Sequence, residues 1–330
     1  MCSLYVDVGY LLSSAAVRVT GTSLRSGVHI DYAPLIDALV RQAERMSELS
    51  VLRVHWYDSA KDGVPDPQQQ RIGELPKVKL RLGRFGMDGQ QKGVDLRIGL
   101  DLVTHARNGA ADVFILVSGD DDLTEAVEEA QVHGVQVILL AVPNTENKPH
   151  GISRHLIRAA DGLEILPPET VDQTVAKVEM PPTPPTPPTP PTPPTPQPVA
   201  VAPPAGQPQV KATPRDLAGL GHPGALRPSS SVLVYSAATG REPQVTTEYE
   251  DSAELAEQID SVVINVLTAF RKSATAEALA ELKAGKPSIP RDIDKALLTD
   301  LSDRRGEFDL SEQVRHKLRA QFWIKYDEAQ

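Results

Sequence analysis

Apolar runs alternate with amphipathic stretches through the first half of the chain. Runs that predict strands occupy residues 4–8, 51–57, 78–85, 113–117 and 135–142. Between them, apolar residues recur at helical spacing over 31–46, 95–106, 122–133 and 152–160. Such alternation is typical of a mostly parallel sheet with helices on both faces. We therefore predict a doubly wound α/β domain over residues 1–167.

The pattern of the chain changes after residue 167. Residues 181–196 repeat Pro-Pro-Thr, and proline lacks an amide donor and has a fixed φ, so this run forms neither a helix nor a sheet ladder. We expect an extended polyproline II spacer inside a disordered, proline-rich linker over residues 168–245. Docking to a proline-binding module is the alternative, disfavoured because no lysine or arginine flanks the repeat closely.

Helical periodicity returns over residues 246–330. One apolar stripe runs from Leu255 to Phe270, and two further amphipathic stretches cover 292–306 and 310–326. We predict a small all-helical domain, for which a winged helix is one candidate. Acids outnumber bases in this region, so contact with a protein partner or self-association is at least as well supported as nucleic-acid binding. On a stiff tether, this domain would lie tens of ångströms from the first one.

Composition narrows the class of protein. A net charge of −10 argues against bulk electrostatic binding of nucleic acid, although it allows a local basic groove. The single cysteine, Cys2, excludes a disulfide framework and a cysteine-based zinc site, and it fits a reducing compartment. The N-terminus has no basic leader, and no segment approaches about 18 apolar residues. We expect a cytoplasmic protein without membrane contact.

Carboxylates follow the ends of the predicted strands. Asp7 ends the first strand, Asp120 and Asp122 follow the strand at 113–117, and Asp95 opens a helix. The carboxyl ends of parallel strands meet at one edge of a sheet, so we expect these four side chains to converge. An all-oxygen cluster suits Mg²⁺ or Mn²⁺. Helix capping is the alternative role for Asp95 and Asp122, and Asp121 is expected to point to solvent.

A basic stretch precedes the second of these acids. Its cations are Arg71, Lys77, Lys79, Arg81, Arg84 and Lys92. A local excess of positive charge suits contact with a phosphate backbone. A solvated strand explains Lys77, Lys79 and Arg81 equally well. Arg84 and Lys92 lie nearer to the acids in sequence, and we expect them to bind phosphate.

Four segments of the chain resemble a known family in the right order. They are YVDVGYLL, KGVDLRIGLDL, VSGDDDLTEAVEEAQVHGVQVIL and LIRAADGLEIL. These are similar to the successive motifs of NYN domains, which belong to the PIN-like nuclease group, and the resemblance spans residues 1–167. It implies a doubly wound α/β fold, a divalent-metal site and ribonuclease activity. The proline-rich linker and helical tail resemble the arrangement in actinobacterial members.

The resemblance assigns roles to individual positions. It maps the catalytic and metal-binding acids onto Asp7, Asp95, Asp120 and Asp122. Lys92, Ser118 and Asp101 also match positions of the family motifs. Of these, Lys92 and Ser118 are expected to bind substrate. Asp101 lies about 240° round the helix from Asp95, so we do not expect it to share the site.

These patterns lead to one function and two alternatives. The leading prediction is a metal-dependent endoribonuclease that hydrolyses phosphodiesters of single-stranded RNA. The first alternative is a catalytically weak or inactive NYN-type RNA-binding module, because Tyr10 stands where many members have asparagine. The second is a phosphatase-like or receiver-like domain. It is disfavoured because no acid has the phospho-acceptor setting and GRFGMDGQQKG lacks the spacing of a phosphate-binding loop.

Overall fold

The first strand lies at the centre of a seven-stranded sheet. All six residues of β1 (Cys2–Asp7) are buried, as expected for a parallel strand covered on both faces. In this computed structural model the described residues are 1–85, 91–178, 252–306 and 310–328. The other strands of the sheet are β3 (Val51–Ala60), β4 (Val78–Phe85), β5 (Gln91–Lys92), β6 (Val113–Val117), β7 (Gln136–Ala141) and β8 (Gly162–Ile165).

The strand order confirms the doubly wound topology. The order across the sheet is β5-β4-β3-β1-β6-β7-β8. Every neighbouring pair is parallel except β4 with β5. The chain moves outward from β1 to β4 and then returns to β6 on the other side of β1. The topological switch point therefore lies between β1 and β6, where ligand sites form in open α/β sheets.

Helices cover both faces of the sheet. They are α1 (Val8–Thr20), α2 (Tyr32–Ser47), α3 (Pro67–Gly73), α4 (Val94–Arg107), α5 (Thr124–Val132), α6 (Arg154–Ala159) and α7 (Pro168–Thr174). Successive β1 residues point to opposite faces. Leu4 and Val6 pack in the core that α1 and α2 cover, whereas Tyr5 packs in the core that α4 and α5 cover.

The first domain extends beyond its predicted end. We expected the linker to begin at residue 168, but α7 starts there, and β9 (Val175–Lys177) pairs antiparallel with β2 (Val28–Ile30). Val171 and Val175 are buried in the core beneath α1 and α2, which explains the extension. The rest of the expected linker, including the Pro-Pro-Thr repeat, lies outside the described residues.

The described part of the C-terminal region contains four helices. They are α8 (Ser252–Ser273), α9 (Ala276–Ala284), α10 (Arg291–Arg305) and α11 (Glu312–Glu328). Their apolar stripes enclose a core of their own, which includes Val263, Leu297 and Phe322. Residues 252–306 and 310–328 contain helices only, so the described part of this region has no wing strand. None of the described helices is both long enough and apolar enough to span a bilayer.

The C-terminal helices pack directly against the first domain. Residues 1–181 and 251–330 form one compact unit. Leu24, from the loop after α1, is fully buried in the core of the C-terminal helices. The backbone N–H of Ser23 donates to Asp300 Oδ1 at 2.9 Å, and His150 Nε2 lies 3.1 Å from Asp303 Oδ2. The expectation that tens of ångströms separate the two regions is therefore wrong.

Candidate active site

Asp7 is placed where β1 ends and α1 begins. Only 8% of its surface is exposed, and it is the N-cap of α1, because its Oδ1 accepts the backbone N–H of Tyr10 at 3.3 Å. Its Oδ2 accepts the hydroxyl of Ser118 at 3.3 Å. Capping of α1 therefore accounts for one oxygen of this buried carboxylate. The other oxygen is held by Ser118, the residue that follows β6.

Ser118 connects the acids at the ends of β1 and β6. Its fully buried hydroxyl donates to Asp7 and accepts the backbone N–H of Asp120 at 3.3 Å. Asp120 Oδ1 in turn accepts the backbone N–H of Asp122 at 3.1 Å. The segment after β6 is thereby held so that the carboxylate of Asp120 faces that of Asp7.

Two glycines allow the chain to pack closely around these acids. A Cβ atom on Gly119 would lie 1.7 Å from the carbonyl oxygen of Gly151. A Cβ atom on Gly9 would lie 2.9 Å from Asp7 Oδ1. The backbone N–H of Ser153 also donates to the carbonyl of Gly119 at 3.0 Å, so the segments at 118–120 and 151–153 are fixed to each other.

Electrostatic coupling shows that four carboxylates share one region, which we call the acidic cluster (Asp7, Asp95, Asp120 and Asp122). Burial is the largest cause that raises the pKa of the carboxyls of Asp7, Asp95 and Asp120. Repulsion between these carboxylates raises their pKa values further. Asp7 acts on Asp95, Asp95 acts on Asp120, and Asp120 acts on Asp7. Asp122, which is exposed, raises the pKa of both Asp95 and Asp120. Buried like charges of this kind are costly without a cation.

The acids line an open cavity at this edge of the sheet. Its volume is about 680 Å³, and its lining includes Asp7, Asp95 and Asp120. Helix α10 contributes Arg291, Asp294, Lys295, Leu298 and Thr299 to the same lining. Three acids that are distant in sequence, on β1, α4 and the segment after β6, therefore line one open cavity together with α10.

The donor set of the acidic cluster fits a hard divalent cation. It consists of carboxylate oxygens, without histidine or cysteine, which suits Mg²⁺ or Mn²⁺. Among the described residues, no group of three or more potential ligands is arranged to hold a metal directly as the side chains stand. Mg²⁺ keeps several of its waters and commonly uses only one or two protein carboxylates, so its needs are met by fewer direct ligands.

Other acids predicted near the site have separate partners. Asp121 is exposed, as expected, and its carboxylate accepts the hydroxyl of Ser153 and lies 3.3 Å from His155 Nδ1. Asp101 accepts the hydroxyl of Tyr57 at 2.9 Å and lies 3.1 Å from Arg81 Nε. Asp101 is thus paired with residues of β3 and β4 and is not among the residues that line the cavity, as we expected from its position on the helix.

The two cations expected to bind phosphate are described only in their backbone. Arg84 in β4 pairs with Lys92 in β5. Lys92 comes two residues before α4, whose second residue is Asp95. The side chains of Arg84 and Lys92 lie outside the described part of the structure, so their predicted role stays a prediction.

Tyr10 supports the loop that follows β7. Its hydroxyl donates to the carbonyl of His150 at 2.9 Å and accepts the backbone N–H of Val142 at 3.2 Å. A Cβ atom added to Gly119 would lie 3.0 Å, and one added to Gly151 3.8 Å, from Cε2 of its ring, so the ring leaves little room for a side chain at either glycine. The residue at the usual asparagine position therefore supports the loop that contains His150, and its hydroxyl is bonded to the backbone of that loop.

Three cations near the acids were not predicted from the sequence. Arg25 donates to the carbonyl of Gly9 at 2.8 Å and lowers the pKa of Asp7. Lys295 lowers the pKa of both Asp7 and Asp95, and Arg291 lines the same cavity. Arg291 and Lys295 lie almost two hundred residues after Asp95, in a helix whose pattern only indicates an apolar stripe. No local signal could have placed them beside the acids.

Comparison with known proteins agrees with this geometry. Residues 3–166 match the family model of the NYN domain. The chain is also 45% identical over 74 residues to an uncharacterized protein, y4oD, of Sinorhizobium fredii, an alignment that covers 22% of this chain and 35% of that protein. The chain thus spans about a third of the length of that relative, and no solved structure matches it. With its parallel sheet and its acids at the switch point, the region over residues 3–166 is an NYN domain, with the PIN-like nuclease fold that this implies.

Proposed function

We propose that the protein is a divalent-metal-dependent endoribonuclease that hydrolyses RNA phosphodiesters at the acidic cluster. The observation that carries this proposal is the convergence of Asp7, Asp95 and Asp120 on one cavity at the switch point of an NYN domain. NYN domains are typically nucleases, which supports hydrolysis at a coarse level. RNA is the substrate class that the family suggests.

The acidic cluster would hold one or two Mg²⁺ or Mn²⁺ ions through carboxylates of Asp7, Asp95, Asp120 and Asp122. A bound divalent cation lowers the pKa of a bound water and stabilises charge on the phosphate. The carboxyls must lose their protons to bind a cation. Because burial and mutual repulsion raise their pKa values, cation binding and ionisation are coupled in this site.

Ser118, Arg84 and Lys92 complete the proposed site. Ser118 orients Asp7, since its buried hydroxyl donates to that carboxylate and leaves no exposed surface for a substrate. Arg84 and Lys92 are proposed to hold phosphates of the RNA backbone. Their support is the pairing of β4 with β5 immediately before the helix that carries Asp95.

A catalytically inactive RNA-binding module is the second candidate. The observation that favours it is the hydrogen bonding of Tyr10. Its hydroxyl donates to the carbonyl of His150 and accepts the N–H of Val142, so it makes no hydrogen bond to the acids. Such a module would bind RNA without cleaving it. The two candidates differ in one measurable result, which is the appearance of cleaved RNA.

The test uses the full-length chain and a labelled single-stranded circular RNA with Mg²⁺, Mn²⁺ or a chelator. A circular substrate has no ends, so only internal cleavage converts it to a linear product. We expect cleavage with either metal, none with the chelator, and none in Asp120→Asn. Asp37→Asn, which alters an exposed acid on α2, is the matched control and should cleave normally. Cleavage that persists in the chelator or in Asp120→Asn contradicts the proposal, and binding without cleavage supports the second candidate.

The location of this activity is also a proposal. We place it in the cytoplasm, since the only cysteine of the chain, Cys2, is buried and free. A reducing compartment preserves such a thiol. Partitioning of a tagged chain into a membrane or extracellular fraction would contradict this location.

A further inference from the structure

Helix α10 brings positive charge to the cavity of the acidic cluster. Arg291 and Lys295 lie one turn apart on α10, and both line the 680 Å³ cavity. A neighbouring cavity of about 260 Å³ is lined by Arg25 and again by Arg291 and Lys295. The two cavities share Arg291 and Lys295, and their linings also include Asp292 and Asp294 of α10, so three cations and two acids border the space beside the acidic cluster.

Among the described side chains, Lys295 has no carboxylate in ion-pair contact, although Asp7 and Asp95 attract its charge. Asp294, the adjacent acid on α10, is bonded instead to Arg319 through two hydrogen bonds of 2.7 and 2.8 Å. Within the described ranges, Lys295 has no ion pair with any carboxylate. Burial, Arg25 and Arg291 lower the pKa of Lys295, whereas Asp7 and Asp95 raise it. The ammonium is therefore repelled by Arg25 and Arg291 and attracted by Asp7 and Asp95, without an anionic partner in contact.

We propose that α10 completes the substrate site, with Lys295, Arg25 and Arg291 binding backbone phosphates of single-stranded RNA next to the phosphodiester at the acidic cluster. This inference rests on the proposed function, since it names how the same site holds its substrate. Lys295, which is buried and repelled by Arg25 and Arg291, is stabilised when a phosphate lies beside it. The cavity volume lies in the range that accepts a ligand of nucleotide size, so an RNA segment fits while α10 stays in place.

An internal counter-ion is the competing role for Lys295. In that role its ammonium would neutralise the acids and keep divalent cations out, so the C-terminal region would inhibit the NYN domain. The lack of a contact ion pair between Lys295 and the acidic cluster disfavours it. The open volume between α10 and the acids also disfavours it, because an inhibitory ammonium would fill the cation position.

The test measures RNA binding by the full-length chain in chelator, so that cleavage does not interfere. Fluorescence anisotropy with a short labelled single-stranded RNA is recorded over a series of salt concentrations for Lys295→Gln, Lys295→Arg and Arg304→Gln. Arg304 is an exposed cation on the same helix that lines neither cavity, so it is the matched control. Mn²⁺ affinity is measured on the same proteins by calorimetry.

We expect Lys295→Gln to weaken RNA binding on the order of fivefold to tenfold at low salt. The slope of log affinity against log salt should fall by about 0.7, the value for one phosphate contact on a single strand. Lys295→Arg, which keeps the charge, should restore binding, and Arg304→Gln should bind like the wild type. Mn²⁺ affinity should not weaken in Lys295→Gln, which shows that the acidic cluster is still folded.

Other results would overturn the inference. Unchanged RNA affinity in Lys295→Gln refutes it, and tighter Mn²⁺ binding with faster cleavage at unchanged RNA affinity identifies the counter-ion role instead. Absence of RNA binding by the wild type also refutes it. If the wild type binds RNA through Lys295 but never cleaves it, the inference stands and the nuclease proposal fails.

Discussion

Asp300 is one of two acids that join α10 to the first domain, and it is the more deeply buried one. Its Oδ1 accepts the backbone N–H of Ser23 at 2.9 Å. The pKa of Asp300 is raised from 3.8 to about 6, mainly by burial and to a smaller extent by Asp303, although hydrogen bonds from Ser23 and the charge of His150 oppose the change. At neutral pH the ionised carboxylate therefore destabilises the contact between the two regions.

The size of this effect follows from the pKa. Each pKa unit is worth about 1.4 kcal/mol, so a carboxyl raised from 3.8 to about 6 costs the folded state about 3 kcal/mol at pH 8. The folded state binds more protons than the unfolded state between these two pKa values. The contribution of Asp300 to the free energy of unfolding is therefore most favourable below pH 3.8. It decreases as the pH rises to about 6 and stays constant at higher pH.

Asp300→Asn should remove this pH dependence. The amide oxygen can still accept the N–H of Ser23, and it carries no charge to desolvate. We expect the variant to be more stable than the wild type by about 3 kcal/mol at pH 8 and by about 1 kcal/mol at pH 4.5, as measured by urea unfolding of the full-length chain. Asp37→Asn, at an exposed position, should change stability little at either pH. Lower stability of Asp300→Asn at pH 8, or an equal gain at both pH values, would refute this reasoning.

Three further outcomes follow from the site. Tyr10→Phe leaves the carbonyl of His150 and the N–H of Val142 without their partner. The free energy of unfolding measured in urea should therefore fall by about 1–3 kcal/mol, and an unchanged value would contradict the role of the hydroxyl. Gly119→Ala places a methyl group on the Gly151 carbonyl, so calorimetry should show that Mn²⁺ binding is lost, whereas wild-type affinity would show that the close packing is dispensable. Mn²⁺ affinity should fall as the pH is lowered, because the carboxyls must lose their protons to bind the cation. Since the pKa values of Asp7, Asp95 and Asp120 are raised, the fall should begin above about pH 4, the usual pKa of a carboxyl. A fall only below about pH 4 would argue against this coupling.

The sheet and its acids could be predicted because their signals are local. The strand at 113–117 was predicted with its observed bounds, since a continuous apolar run ends at Ser118. In a parallel sheet, residues that follow strands gather at one edge, which is why we expected Asp7, Asp95, Asp120 and Asp122 to converge. Three of them, Asp7, Asp95 and Asp120, line one cavity, whereas Asp122 is exposed and does not line it. Helix α1 was missed because β1 runs into it without a loop. One apolar stretch covers both elements, and only the cap at Asp7 separates them.

The second wall of the cavity could not be predicted. The apolar stripe of α10 indicates that the helix packs against another part of the protein. It does not indicate which elements form that contact. Docking onto the first domain depends on Leu24 and Ser23, whose burial is visible only in three dimensions. The sequence-based prediction that residues 246–330 bind a protein partner or a second copy stays a prediction.

Calorimetric titration with Mn²⁺ tests the central claim most directly, because the claim is that separate carboxylates act as one cation site. The wild type should bind Mn²⁺ with one or two sites, and binding should disappear in Asp7→Asn and in Asp120→Asn. Each substitution keeps the oxygen that accepts the local backbone N–H, so the fold should be preserved. Unchanged Mn²⁺ affinity in both variants would contradict the account.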